Sequence, residues 1–423
     1  MEKKITVKVD RTSAEFFSDL ELGVTHTARG LDNCGNEEAN KRGGELLKAA
    51  CRLHNAHIQG WGVKFPETAP GVWDWSSLDR RINFIRSLGG EPVITLCAAP
   101  DWMKGEYDPE EEKLYLAHGQ QWWWFEKAPL PEFFDEFALV CVEIAKRYPF
   151  VRHYQVWNEM KGFVYEDRDR QFDNHIQFYY EEYTEFYNKI YSAMKAHDPE
   201  LKIGGFYPVL GGMGIPRGDD YYSMHPIVPH DREAMMYWLR NKAGADFICV
   251  DRGMTSWWSP NKHTYTADEV IDSAAEFENI MHQIHEVCDL PIWWAEYYFA
   301  GEKDTDYCMA TAATQLIHMV RGRGETKALL WNPMDSEHLN TALFTANTEA
   351  DGCRPLRYYP IWKTFNTDFG RGRAIYPTKV SGNTVACLAS DKRIVLVNKR
   401  NFEQKVELDG AELALKPYEV LFI

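Results

Sequence analysis

Residues 153–159, His-Tyr-Gln-Val-Trp-Asn-Glu, show the pattern on which the fold prediction depends: a short run rich in apolar residues that leads into polar groups. Short apolar runs of this kind are typical of parallel strands, because helices cover both faces of a parallel sheet. We therefore predict a strand at 153–158. Further strands are predicted at residues 22–26, 57–61, 92–98, 202–206, 247–251, 291–296 and 328–331.

Segments with helical spacing of apolar residues alternate with these strands. They are predicted at residues 37–53, 76–87, 131–147, 176–197, 232–241, 267–287, 305–321 and 356–369. Eight strand–helix units in succession predict an α/β fold of the (β/α)8 TIM barrel type. An open doubly wound sheet is the alternative, but no G-x-G-x-x-G follows the first strand to support a nucleotide-binding version.

The pattern changes after about residue 372. Short alternating stretches at 384–388, 393–398, 404–408 and 418–423, separated by polar turns, predict a small antiparallel β-sandwich module. Residues 4–9 also alternate, and we expect them to join this module, so that the two chain ends meet. The predicted domains are a catalytic barrel at 11–371 and an accessory module formed by 1–10 plus 372–423.

Composition narrows the function classes. The chain has 423 residues and a formal net charge of −16, and a strongly acidic surface repels phosphate backbones, so we expect no nucleic acid partner. No dense Lys/Arg cluster is present that would hold a polyanion, which favours a neutral substrate. The acidic surface neither requires nor forbids assembly, so a homo-oligomer stays open.

The cysteine pattern and the N-terminal residues give an expectation for the cellular compartment of the protein. The nine cysteines are widely spaced without a C-x-x-C pair, which indicates buried thiols in a reducing compartment. No signal-peptide core and no run of about 18 apolar residues occurs, so we expect a cytoplasmic protein that does not enter the membrane. An export signal already removed from this sequence is the alternative.

Catalytic groups of such barrels lie at the C-terminal ends of the strands. The fourth predicted strand leads into Asn158-Glu159, and the seventh ends at Glu296. Paired carboxyl groups suit glycosidic bond cleavage, because one protonates the leaving oxygen and the other attacks the anomeric carbon. We expect the nucleophile's charge to raise the pKa of the acid and keep it protonated near neutral pH. The amide of Asn158 is expected to hold the sugar 2-hydroxyl.

These motifs resemble those of the clan A glycoside hydrolases, in which an Asn-Glu pair ends strand four and a Glu ends strand seven. The resemblance implies that Glu159 is the acid/base and Glu296 the nucleophile of a retaining enzyme. Within the clan the chain is most similar to glycoside hydrolase family 39, which includes β-xylosidases. The similar stretches are Gly71-Val72-Trp73-Asp74-Trp75-Ser76-Ser77-Leu78-Asp79, the helix at 183–195 and Ile203-Gly204-Gly205.

The chain also departs from the pattern of family 39. Met160 stands where a Pro often follows the Asn-Glu pair, and Ala295-Glu296-Tyr297 replaces the usual T-E-W. Asp251-Arg252-Gly253-Met254 occupies the place of a His-His-Tyr run after strand six. These changes leave the two glutamates in place but open the question of which sugar is bound.

Other residues near strand ends are candidates for substrate binding. Trp331, at the end of strand eight, resembles the sugar-stacking platform of the clan. Each of the others has a structural hydrogen bond, a core position or a helix contact as its alternative role. They are His26, Gln59, Trp61, Trp102 and Tyr297. At least one aromatic residue of each run at 122–125 and 257–258 is expected to border the cleft.

We predict no cofactor and no catalytic metal, because His282 and His285 lie within a helix and lack a third ligand. The sequence thus predicts a retaining hydrolase of a neutral β-linked glycoside, similar to a β-xylosidase. An endo-acting β-glycanase on the same barrel is one alternative. A barrel that binds carbohydrate without catalysis is the other, although such a protein has no need of both carboxylates.

Overall fold

The computed structural model describes residues 4–110, 112–113, 123–166, 176–178, 180–210, 229–254, 266–299, 304–335 and 342–423. Its centre is a closed barrel of eight parallel strands, which confirms the predicted TIM barrel. Barrel strands one to eight, in chain order, are Glu21–Thr25, Leu53–His57, Glu91–Leu96, His153–Val156, Lys202–Gly205, Phe247–Arg252, Ile292–Tyr297 and Lys327–Trp331.

Helices surround the barrel and bury their apolar faces against it. They are Glu37–Ala50, Ser76–Ser87, Trp123–Glu126, Phe134–Arg147, Tyr180–His197, Pro229–Asn241, Ala267–Asp272, Ala275–His285, Asp306–Gly322 and Tyr358–Asp368. Short 3-10 helices occupy Asp101–Met103 and Pro131–Phe133. The predicted helices at 176–197 and 267–287 each proved to be two elements, because Ile176–Phe178 forms a strand and a break at 273–274 divides the other.

Barrel strand two was predicted wrongly. The first helix ends at Ala50 and the strand covers Leu53–His57, whereas the sequence placed its start at His57. Three of the five residues of this strand are polar, yet all five are buried. Asn55 explains this, because it donates to Thr25 Oγ1 at 3.2 Å and accepts from Thr95 Oγ1 at 2.9 Å inside the barrel.

The two chain ends form one β module beside the barrel, as predicted. Ile5–Val9 pairs antiparallel with Thr378–Val380 and parallel with Gln404–Leu408. A second sheet of the module also includes a short strand from near the start of the barrel domain. Its strands, in spatial order, are Phe16–Phe17, Ala374–Tyr376, Val385–Ser390, Ile394–Asn398 and Val420–Phe422. Ala411–Leu415 completes the first sheet beside Gln404–Leu408. Two small hairpins, Glu67–Ala69 with Val72–Trp73 and Val164–Glu166 with Ile176–Phe178, lie outside the barrel and module sheets.

All nine cysteines are free, and most of them are buried. Among the residues that the structure describes, none of the helices combines the length and apolar character that crossing a bilayer requires.

Candidate active site

The chain turns sharply after barrel strand four and presents Glu159 at the barrel mouth. Trp157, Glu159 and Met160 have φ angles of 69°, 51° and 58°, a left-handed conformation that costs free energy for residues other than glycine. The buried Trp157 ring anchors this turn by donating from Nε1 to the Lys161 carbonyl at 2.5 Å. The strained backbone is thus held by packing around the residue that carries the carboxyl group.

Three carboxyl groups meet at this mouth. Oxygen atoms of Glu159, Asp251 and Glu296 all lie within 4.8 Å of one another. Asp251 and Glu296 are direct neighbours across barrel strands six and seven, where the register shifts between Val250 and Asp251. Asp251 and Glu296 are each 2% exposed, so these carboxyl groups are almost entirely removed from solvent.

Lys161 supplies a positive charge to the cluster. Its Nζ lies 2.8 Å from Glu159 Oε2 and 2.8 Å from Glu126 Oε1, and its side chain is 24% exposed. Gly162 lets the two segments approach, since a Cβ there would lie 2.2 Å from the Ala128 backbone nitrogen.

The three carboxyl groups differ in their proton affinity. Burial disfavours the charged form of Glu159, but Lys161 and a hydrogen bond with Asp251 outweigh it and lower the pKa of Glu159. Burial, followed by the negative charges of Glu296 and Glu159, raises the pKa of Asp251 well above its ordinary value. Burial and the charge of Glu159 likewise raise the pKa of Glu296.

These directions contradict the expected protonation of Glu159. The sequence led us to expect a raised pKa for this residue, because only Glu296 was considered as its neighbour. Lys161 reverses the sign, since an ammonium in contact with a carboxylate favours the ionised form. In the free protein Glu159 therefore favours the carboxylate form, whereas the environments of Asp251 and Glu296 favour the protonated form.

Several buried polar atoms at the same mouth lack a hydrogen-bond partner within the described part of the chain. Asn158 Nδ2, Gln59 Oε1, Asp251 Oδ1 and both ring nitrogens of His57 belong to this group. Buried polar groups in native proteins are normally paired. The unpaired atoms at this mouth therefore indicate a place where a polar ligand or water molecules bind. Tyr207 adds a donor, with Oη 3.4 Å from Glu296 Oε2.

Trp331 and Trp61 form an aromatic cluster with His57 and Phe125. The rings of Trp61 and Trp331 meet edge to face with centroids 5.5 Å apart, and Trp61 lies 4.1 Å from the His57 ring. Phe125 contacts Trp61 at 5.2 Å. Burial, with smaller contributions from Lys161 and Arg81, lowers the pKa of His57 to about 3, so its ring is neutral.

The structure does not bring three other predicted binding residues to the carboxyl groups. His26 stacks on His54 and meets Phe84, because Thr25 before it points into the barrel and alternation turns His26 toward the helices. Tyr297 alternates with Glu296 in the same way. Its Oη accepts a hydrogen bond from Trp362 Nε1 at 2.8 Å, on the helix side.

Trp102 also has a structural partner. Its Nε1 donates to the Glu67 carbonyl at 3.1 Å, and its ring packs edge to face against Phe133. In the run at 122–125, Phe125 reaches the aromatic cluster and Trp124 donates to Asp101 at 3.0 Å. Trp122 and the pair at 257–258 lie outside the described residues.

The three carboxyl groups are also, within the described ranges, the one set of His, Cys, Asp or Glu side chains with the spacing for a metal ion. An oxygen donor set of this kind would suit Mg2+ or Ca2+ rather than zinc. Spacing alone does not make a metal site, and Lys161 already places a positive charge against Glu159.

Sequence reasoning missed five polar residues of this site: His57, Lys161, Glu126, Asp251 and Tyr207. Asp251 carried a usable signal, because it ended the predicted strand six beside the strand of Glu296. Lys161 follows Glu159 closely in the chain and was also visible. Tyr207 directly follows the predicted strand at 202–206 and was visible in the same way. Glu126 had no such signal, because it lies at the end of the short helix Trp123–Glu126.

Comparisons with known proteins give the fold a context. Neither the known family models nor the curated proteins include a match to this chain. Among solved structures, SrfJ from Salmonella typhimurium is 15% identical with a TM-score of 0.64, covering 99% of this chain and 92% of that one. An endo-β1,6-glucanase is 12% identical with a TM-score of 0.61, covering 98% and 93%. A GH39 β-xylosidase from Caulobacter crescentus is 18% identical with a TM-score of 0.55, covering 96% and 83%.

These similarities extend over the barrel and the β module together. At such low identity they establish a shared fold alone. The structural neighbours include enzymes of family 39 and of family 30, so these comparisons do not favour family 39 over other families.

Proposed function

We propose that this protein is a retaining glycoside hydrolase that acts on a neutral β-linked glycoside through Glu159 and Glu296. The observation that carries the proposal is the approach of their carboxyl oxygens to within 4.8 Å at the C-terminal mouth of the barrel. A separation of about 5–5.5 Å accompanies retention, whereas inversion needs about 6.5–9.5 Å to admit a water molecule.

The surrounding groups support a sugar as the ligand. Asn158 offers an unpartnered amide beside Glu159, as a partner for the 2-hydroxyl would. Trp61 and Trp331 add aromatic surface, and sugar rings have apolar C–H faces that stack on such rings. The absence of a dense basic cluster in the sequence favours a neutral sugar.

A β-xylosidase is our specific candidate, on the motifs shared with family 39. An endo-acting β-glycanase is the second candidate, because one structural neighbour is an endo-β1,6-glucanase of nearly the same extent. The two differ in their products: an exo-enzyme releases single sugars from chain ends, while an endo-enzyme yields mixed oligosaccharides.

The decisive experiment compares the wild type with Glu296→Ala on a panel of aryl β-glycosides and oligosaccharides. We expect the wild type to hydrolyse at least one substrate and the variant to lose this activity. Azide should restore turnover of the variant by entering the space of the lost carboxylate, and the product should be a glycosyl azide of inverted configuration.

Glu278→Ala provides a matched control, because Glu278 is a half-buried glutamate on an outer helix, paired with His318. Its activity should remain close to that of the wild type. An absence of hydrolysis across the whole panel, together with measurable oligosaccharide binding, would overturn the proposal in favour of a non-catalytic carbohydrate-binding barrel.

A further inference from the structure

Asp251 is a third buried acid within the pair that cleaves the sugar, and the two-glutamate mechanism gives it no role. One of its carboxyl oxygens lies within 4.8 Å of oxygens of both Glu159 and Glu296, and Asp251 pairs with Glu296 across adjacent strands. Oδ1 has no hydrogen-bond partner among the described residues, although Asp251 is only 2% exposed. Such a group is costly to bury as an anion, so its position requires a proton or a donor.

The charged and titratable groups around Asp251 and Glu159 come from several elements. They are Glu126 and Lys161 from the loops beside strand four, Glu296 from strand seven, Tyr207 after strand five, Cys97 after strand three and His57 from strand two. Lys161 is the single cation among them, and it contacts Glu159 and Glu126. Glu159 is thereby stabilised as a carboxylate, and Glu296 accepts a hydrogen bond from Tyr207 Oη, whereas Asp251 Oδ1 has no partner among the described residues.

We propose that Asp251 is a positioning residue that holds, in the free enzyme, the proton that Glu159 delivers to the leaving group. This inference rests on the proposed function, because it assigns the source of the acid's proton in that same reaction. Glu159 remains the group that touches the glycosidic oxygen.

The step balances as a simple proton transfer. The Asp251 carboxyl O–H bond breaks, an O–H bond forms on Glu159, and Asp251 is left as the carboxylate. Glu159 then transfers this proton to the departing oxygen while Glu296 attacks the anomeric carbon. In the second half, Glu159 removes a proton from the incoming water and Asp251 receives it, which restores the starting state.

Asp251→Asn tests this proton store, because the amide keeps the size and can still donate a hydrogen bond but cannot release a proton. For glycosides with poor leaving groups, we expect kcat/KM to fall by roughly 10²–10⁴-fold, the usual contribution of general acid catalysis. For a dinitrophenyl glycoside, which leaves without protonation, the loss should stay under about tenfold. The limb of the pH–kcat/KM profile that reports the acid should also change.

The control is Asp351→Asn, which removes an exposed carboxyl group paired with Arg354. It should leave both the leaving-group dependence and the pH profile unchanged. If Asp251→Asn shows the leaving-group dependence and pH profile of the wild type, the proton store is overturned while the hydrolase stands. If the wild type itself hydrolyses nothing, it is the proposed function that fails.

A second measurement avoids dependence on a variant at Asp251. In carbon-13 NMR of wild-type protein labelled in its aspartate carboxyl groups, one buried resonance should remain in the protonated position near neutral pH. That resonance should move in Glu159→Gln, because the hydrogen-bond partner changes. A spectrum in which every aspartate is ionised at neutral pH would overturn the proposal.

Discussion

Replacing Lys161 by Met should destabilise the folded protein, and by more at high pH than at low pH. The Lys161 ammonium lies 2.8 Å from both Glu159 and Glu126, and the three side chains are 24%, 10% and 23% exposed. Met preserves most of the aliphatic stem, so packing changes little. The main effect is that two largely buried carboxylates lose the cation between them.

The size of this effect follows from the burial of the pair. Removing one partner of a buried ion pair costs about 3–5 kcal/mol, because the remaining charge stays desolvated without compensation. About a quarter of the Lys161 side chain is exposed, so we expect the lower end, about 3 kcal/mol at pH 8. Exposed surface pairs contribute only about 0–1 kcal/mol.

The pH dependence has a definite sign. In the wild type, Lys161 lowers the pKa of Glu159, which stabilises the fold above the unfolded pKa of glutamate, about 4.3, and this is lost as the pH falls through the folded value. Without Lys161, burial and the neighbouring carboxylates instead favour the protonated form of Glu159. The variant then loses stability as the pH rises, so its deficit should be small at pH 5 and largest at pH 8.

Urea unfolding followed by tryptophan fluorescence at pH 5 and pH 8 measures this difference. Lys146→Met is the matched control, because Lys146 forms an exposed ion pair with Glu143 on an outer helix, and its midpoint should barely change. A Lys161→Met deficit equal at both pH values would refute the electrostatic reasoning. So would a deficit no larger than that of the control.

Substitutions at three further positions test individual contacts. Asn158→Ala should lower kcat/KM by about 10²–10³-fold, since hydrogen bonds to the 2-hydroxyl contribute several kcal/mol in the transition state, and wild type and variant should converge on a 2-deoxy glycoside. Trp331→Ala should lower kcat/KM about fivefold, for about 1 kcal/mol of ring contact, while Trp331→Phe should retain most of the activity. Trp362→Phe should cost about 0.5–1.5 kcal/mol of stability, because the hydrogen bond to Tyr297 is lost, and leave kcat/KM unchanged. A 2-deoxy substrate that still separates the Asn158 variant from the wild type, equal losses for Ala and Phe at 331, or a kinetic defect at 362 would contradict these assignments.

The barrel could be predicted from the sequence because its strands are buried on both faces and therefore stand out as short apolar runs. Strand two does not stand out in this way, because it contains the polar residue Asn55. Asn55 is buried through hydrogen bonds to Thr25 and Thr95, which the spacing of apolar residues does not reveal. His26 and Tyr297 were expected at the mouth because they stand at strand ends. A strand end fixes the level along the barrel axis, but alternation decides whether a side chain points inward or toward a helix.

The approach of Glu159 to Glu296 followed from the fold, because C-terminal strand ends of a barrel share one mouth. The electrostatics of the pair did not follow, because they depend on Lys161, whose position is set by the left-handed turn through Glu159 and Met160. Glu126 arrives from another connection altogether. The protonation states of the carboxyl groups at the strand ends therefore depend on charged side chains from the connecting segments between the strands.

The pairing of Ile5–Val9 with Gln404–Leu408 has a consequence for how this chain is made. The first strand is synthesised long before its neighbours on both sides, Thr378–Val380 and Gln404–Leu408. Until those two strands have been made, it has open hydrogen-bonding edges that another chain could pair with.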